Sequence, residues 1–183
     1  RLLTDWFQVQ VLAGELQSTA SVPIMLAGQD HTMPELPEVE TRVRQLRVPC
    51  VGRSIRNTFI GWPRQIDRPS PSVFTKRICG QRIAEVRRRG KFLIFQLSED
   101  ALLFHLRMSG DLYVTAESST ADRYAHIILT LDNFQQLRFS DARKFGRVYL
   151  VRAAEEITAR LGPEPLSKQF TSNRFTRSLA KRK

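Results

Sequence analysis

The sequence predicts an α+β fold: a two-layer antiparallel β-sandwich flanked by helices, with the start of a helical second domain behind it. Three observations carry this. A helical pattern opens near Pro37. After Gly80 a series of short β-like runs follows, spaced by about ten residues with hairpin-like breaks between them. Gly162-Pro163-Glu164-Pro165 then punctuates the chain before a last helical pattern.

Composition bounds the answer. A chain of 183 residues suffices for one substantial domain, or one domain and a fragment of a second. With 42% hydrophobic and 26% charged residues it is neither a disordered nor a collagen-like chain. No apolar run approaches the ~20 residues needed to span a bilayer. Cys50 and Cys79 are too few for a disulfide scaffold or a Cys-only zinc site. The 29 basic and 18 acidic residues give a net charge of +11, which points to a polyanionic partner, most often nucleic acid. A ribosomal-type or membrane-surface protein also fits the composition.

The charge changes sign along the chain. Residues 1–32 hold one basic and three acidic residues, and residues 33–183 hold 28 and 15. The break falls at Met33. The leading segment has no basic n-region and no clear cleavage site, so it does not read as a signal peptide. It is expected to be an extension, either a solvated tail or a translated upstream stretch; a helix or strand packed on the main body is the alternative.

The elements follow in order. Val39, Val43 and Leu46 form one apolar stripe from Pro37 onward, with Glu38 and Glu40 early and Arg42, Arg44 and Arg47 late, which suits the helix dipole. Pro37 fits a first turn, and Pro49 followed by Gly52 is expected to stop the helix. Arg53–Ile60 alternates and reads as a strand. Residues 61–69 read as a loop. Ser70-Pro71 caps a short helix through Ile78, stopped by Gly80. Strands are expected at Arg82–Arg88, Lys91–Leu97, Ala101–Leu106, Asp111–Thr115, Ala125–Leu131, Gln135–Ser140 and Arg147–Val151, and a helix at Ala154–Leu161. Another helix begins near Thr171. It is too short to bury a core alone, so the chain reads as cut shortly after entering a second domain.

Four motifs carry chemistry. In Met33-Pro34-Glu35-Leu36-Pro37-Glu38-Val39-Glu40, a start at Met33 followed by methionine removal would leave Pro34 as a free secondary amine. Such an amine can attack a sugar C1′ and form an iminium, an electron sink closed to an amide-bonded proline. Glu35 and Glu38 beside it could move protons; a Pro/Glu-rich helix cap is the bland reading. Arg87-Arg88-Arg89-Gly90-Lys91-Phe92 puts four bases around a hairpin glycine, as a phosphate site or as a basic edge that blocks strand aggregation. In His105-Leu106-Arg107-Met108-Ser109-Gly110, Met108 at a hairpin tip is either a wedge for a base stack or a core residue. His105 alone reads as a structural hydrogen-bonder. In Asp141-Ala142-Arg143-Lys144-Phe145-Gly146-Arg147, Phe145 suits insertion between bases and Arg143 an exposed base edge; a cationic hairpin with Phe145 in the core is the alternative. No HExxH or paired Cys/His spacing occurs, so no metal is assigned.

Taken together, Pro-Glu-Leu-Pro-Glu-Val-Glu-Thr, Arg-Gly-Lys-Phe-Leu, His-Leu-Arg-Met-Ser-Gly and Asp-Ala-Arg-Lys-Phe-Gly-Arg resemble bacterial formamidopyrimidine-DNA glycosylase in order and approximate spacing. Leu161-Gly-Pro-Glu-Pro-Leu looks like that family's linker, and Leu36 favours this branch over endonuclease VIII. The resemblance covers residues 33–183. It implies a base-excision repair glycosylase and abasic-site lyase acting on double-stranded DNA with oxidised purines or abasic sites. Pro34 would attack C1′, Glu35 would serve as acid and base, Glu38 would help hold the site, and Lys91 would bind a phosphate. The iminium would then drive β- and δ-elimination. Met108, Arg143 and Phe145 would fill the gap left by the flipped nucleotide, with His105, Arg88 and Lys144 as further DNA-binding positions. The domains expected are an extension (1–32), a catalytic sandwich (33–161), a linker (162–170) and the start of a helix-two-turn-helix domain (171–183). The resemblance also implies a bacterial, cytoplasmic, nucleoid-associated monomer with no membrane contact. It implies no cofactor in this chain, the family's one zinc lying in a C-terminal finger absent here; this chain would then be an impaired enzyme. The alternatives are a catalytically inactive DNA-binding relative and a basic β-sandwich RNA-binding module.

Overall fold

The computed structural model describes residues 33–120, 122–164, 167–168 and 170–180. Contacts divide the chain into Arg1–Asp30 and His31–Lys183, and everything below concerns the second unit. The extension expected over residues 1–32 lies outside the described residues.

Helix α1 spans Leu36–Cys50 and buries the expected stripe of Val39, Val43 and Leu46. It ends at Cys50, where Pro49 followed by Gly52 was expected to stop it, with Pro49 itself inside the last turn. Proline there forfeits only one amide donor in the last turn, and the Val51 N–H still reaches the Arg47 carbonyl at 3.0 Å. Strand β1 is Ile55–Ile60. The loop expected over 61–69 contains a 3-10 turn, Pro63–Gln65, and a short strand β2, Ile66–Arg68. Three residues cannot display a period of two, so the strand is invisible to patterning. Helix α2 is Pro71–Ile78. Strands β3 to β9 are Ile83–Arg89, Phe92–Leu97, Ala101–His105, Gly110–Ala116, Ala125–Leu131, Gln135–Asp141 and Arg147–Val151. The helix expected at Ala154–Leu161 is one turn, α3, Glu155–Thr158; the Leu161 N–H turns back to Thr158 just before Gly162-Pro163. Helix α4 spans Ser172–Ala180.

The strands form two sheets, ordered β1-β7-β8-β6 and β2-β9-β5-β4-β3. All pairings are antiparallel except β2 with β9, which is parallel and makes the second sheet mixed. Strand β7 alternates buried and half-buried residues without a break, the signature of a sheet with one face in the core. Phe95, Phe104 and Phe139 lie at the centre in edge-on contact: Phe95 and Phe104, with ring centroids 5.7 Å apart, stand on neighbouring strands of the second sheet, and Phe104 meets Phe139 of the first sheet at 5.4 Å. Helices α1 and α2 each close one side of the sandwich. Helix α1 packs on β6 and β3, the edge strands of the two sheets, and α2 packs on β1 and β2 at the opposite edges. A smaller apolar cluster, Ile94, Ala101, Leu103, Val151 and Ala154, covers the outer face of the second sheet with Ile157 of α3.

Candidate functional site

The start of α1 is built by its own sequence. The Glu35 N–H donates to the Glu38 carboxylate at 2.9 Å in a capping box, so Glu38 fixes the backbone on which Pro34 and Glu35 sit. Pro34 is half-buried and Glu35 exposed. Lys91 arrives from the β3–β4 turn, and its Nζ meets Glu35 Oε1 at 2.6 Å. A bidentate contact from Arg42 to Asp111, at 2.7 and 2.9 Å, ties the same helix to β6. Acid, base and proline thus share one end of the sandwich.

His105 closes β5 opposite Phe92, with ring centroids 4.8 Å apart. Burial and the nearby cations Arg107 and Lys91 push its imidazolium down to about 4, so the ring is neutral at pH 7. Its Nδ1 accepts the Arg107 N–H at 3.2 Å, which leaves the proton on Nε2, free to donate. Two loops flank it. Met108 is 41% exposed in the β5–β6 turn, and Phe145 is 48% exposed in the β8–β9 loop, so neither is a core residue. The Arg143 guanidinium stands over the Phe145 ring at 5.2 Å. Lys144 Nζ sits 4.2 Å from the centre of the Trp62 ring, in a cation–π contact.

Arg88 is placed differently from the other expected DNA contacts. Its side chain is only 5% exposed and is spent inside the protein, on Glu40 of α1, the Gly90 carbonyl and Glu164 of the linker. Glu164 also accepts from Arg89 and the Gly90 N–H. In this structure Arg88 is a cross-link between helix, turn and linker rather than a surface cation.

Residues that sequence reading passed over hold the loops in place. Asp141 is fully buried and accepts from Gly146, Gln65, Ser109 and Arg143. Gly146 packs so closely that a Cβ there would stand 2.3 Å from Phe139 Cζ. Gly146→Ala should therefore destabilise the fold by roughly 1–3 kcal/mol, read from the midpoint of denaturant unfolding. An unchanged midpoint would show that the loop yields freely. Asp141 stood inside a quoted motif, but nothing in a linear pattern marks a carboxylate as buried.

The comparisons agree with one another. The family model described as "Formamidopyrimidine-DNA glycosylase N-terminal domain" matches residues 33–148. A formamidopyrimidine-DNA glycosylase of Protochlamydia amoebophila is 45% identical over 82% of this chain and 55% of that protein. The Bacillus subtilis enzyme is 40% identical over 81% and 56%. The chain thus spans about half the length of these curated relatives. Among solved structures, Lactococcus lactis formamidopyrimidine-DNA glycosylase bound non-covalently to DNA with an abasic site superposes with a TM-score of 0.73 at 31% identity, covering 81% of this chain and 58% of that one. The same organism's enzyme with DNA containing the formamidopyrimidine lesion FAPY-dG gives 0.72 at 32% identity, covering 80% and 57%.

Proposed function

Because the chain belongs to the formamidopyrimidine-DNA glycosylase family, we propose that it excises oxidised purines from double-stranded DNA and cleaves the strand at the abasic site so formed. The single observation that carries this reading is the 2.6 Å contact of Lys91 with Glu35 beside Pro34, made between segments 56 residues apart. As first residue of a chain, Pro34 has a secondary amine. Its nitrogen bonds to C1′ as the bond from C1′ to the base breaks; the nitrogen's proton passes to the Glu35 carboxylate, and the base leaves as an anion that water protonates. Glu35 delivers a proton to the ring oxygen, the sugar opens, and a C1′ iminium remains. That electron sink acidifies C2′, so loss of a C2′ proton expels the 3′ phosphate, and a second elimination expels the 5′ phosphate.

The surroundings suit a flipped nucleotide. Lys91 holds the Glu35 carboxylate in place and offers its remaining donors to a phosphate. Neutral His105 offers Nε2–H in the same way. Met108 and Phe145 are apolar wedges for the vacated stack, and Arg143, lying on Phe145, presents its donors to the unpaired base. Flipping costs a few kcal/mol, so a void-filling wedge contributes to selectivity. The zinc implied for the family finds no ligand set among the described residues. Among the described residues no group of three or more His, Cys, Asp or Glu could hold a metal, and the buried Cys50 thiol, pushed up to about 12, stays protonated.

The comparisons favour this reading over the inactive relative and the RNA-binding module. No described helix is long and apolar enough to cross a membrane. From the bacterial relatives we further propose a monomer that acts in the cytoplasm, at the nucleoid. Duplex DNA carrying an abasic site, incubated at low salt with the chain begun at Pro34, tests the activity: strand cleavage is expected, since that chemistry needs only Pro34, Glu35 and a reachable C1′, with 8-oxoguanine released much more slowly from a lesion duplex, and no cleavage at the abasic site would be seen if the reading is wrong. Lys91→Ala should weaken duplex binding and lower the slope of log K against log salt by about one unit, one phosphate contact's worth. An unchanged slope would make Lys91 a purely internal partner of Glu35.

A further inference from the structure

We propose that Asp141 is a positioning residue that locks the Met108 turn and the Arg143–Phe145 loop into one rigid wedge, serving damaged duplex rather than single-stranded DNA. This rests on the DNA-repair reading above and deepens it. The carboxylate is 0% exposed. Oδ2 accepts the Gly146 N–H at 2.7 Å and Gln65 Nε2 at 3.0 Å. Oδ1 accepts the Ser109 hydroxyl at 2.5 Å and the Arg143 N–H at 3.2 Å. Four donors fill the roughly four acceptor sites of one carboxylate. Among the described residues no cation pairs with it. A buried charge without a counter-ion is tolerated only when hydrogen bonds hold it, so the four donors and the carboxylate fix one another.

The donors are placed to matter. They come from three segments: the β5–β6 turn, the β8–β9 loop and the 3-10 turn after β1. Met108 immediately precedes the donor Ser109, Phe145 immediately precedes the donor Gly146, and Arg143 is itself a donor. One carboxylate therefore sets the spacing of all three side chains assigned to the vacated stack. The backbone reinforces it. Asp141 pairs in register with Gly110, where a Cβ would stand 2.4 Å from the Leu106 carbonyl oxygen, so the turn has no room to slide. Lys144 on Trp62 pins the loop's other flank to the segment that carries Gln65. A wedge must enter stacked bases at a fixed separation. A single strand, with no stack to enter, makes no such demand.

Asp141→Asn keeps the shape but turns an NH2 group toward two of the four donors. In the full 183-residue chain, binding is measured to an abasic-analogue (tetrahydrofuran) duplex with 2-aminopurine opposite, to the intact duplex, and to the abasic strand alone. Asp141→Asn should cost about tenfold on the abasic duplex and change single-strand affinity less than about twofold. The 2-aminopurine signal on binding should fall with it. Amide exchange of the free protein should quicken together at residues 107–110 and 142–146. Ser109→Ala removes one of the four donors and also the hydroxyl oxygen that accepts the Arg143 N–H at 3.3 Å, so it should quicken exchange at 107–110 and at Arg143 while the Gly146 N–H, still held by Oδ2, stays protected; it should weaken duplex binding in the same direction, and it decides the matter if Asp141→Asn does not fold. An unchanged duplex to single-strand ratio, or exchange quickening in one loop only for Asp141→Asn, overturns the proposal. Failure of the repair reading looks different: the unaltered chain would then not prefer the abasic over the intact duplex, and the proposed selectivity would fall with it.

Discussion

A chain that begins at Pro34 is expected to form a borohydride-stable adduct with abasic DNA, and the same chain with Met33 still attached is expected to form none. The difference is one of kind. A terminal proline nitrogen carries a lone pair that can add to C1′ of an abasic aldehyde, and loss of water then leaves an iminium that hydride reduces to a stable amine. In a Met33–Pro34 peptide the lone pair is delocalised into the carbonyl and no iminium can form. The rest of the site is indifferent to the change, since the Glu35–Glu38 capping box and the Lys91 contact lie downstream of Pro34. Equal adduct yield from the two chains, run on the same abasic duplex, would remove Pro34 from the chemistry.

Glu35→Gln is expected to lower base excision by about 10²- to 10⁴-fold, the usual worth of a positioned general acid or base. Duplex affinity should stay largely intact. Glutamine matches glutamate in length, and its carbonyl oxygen can still accept from Lys91 Nζ, so helix start and turn remain joined. What it cannot do is deliver a proton to the sugar ring oxygen. Single-turnover excision of 8-oxoguanine alongside a binding titration separates the two effects. A near-normal rate would take Glu35 out of the mechanism, and equal losses in rate and binding would make it an anchor for the turn.

Much of this was legible before any coordinates. The Val39/Val43/Leu46 stripe and the alternation of β7 are periodic signals produced by burial on one face, and both elements fall where they were expected. What stayed hidden shares a cause: long-range partnership leaves no local pattern. Strand β2 exists only because β9 lies beside it. Arg88 reads as one more cation in a basic run until Glu40 and Glu164 are seen closing on it from 48 and 76 residues away. Asp141 looks like a turn residue, and its four donors come from three separate stretches of chain. The catalytic group was easier because its chemistry is local: Pro34, Glu35 and Glu38 lie within one turn, and only Lys91 comes from afar.

Two amines could form the covalent bond: the Pro34 nitrogen and, through its contact with Glu35 beside Pro34, Lys91 Nζ. The deciding measurement is peptide mapping by mass spectrometry of the borohydride-reduced adduct between abasic DNA and the chain begun at Pro34. A single modified peptide carrying the sugar remnant on Pro34, with Lys91 unmodified, is the expected result. An adduct on Lys91, with Pro34 unmodified, would contradict it.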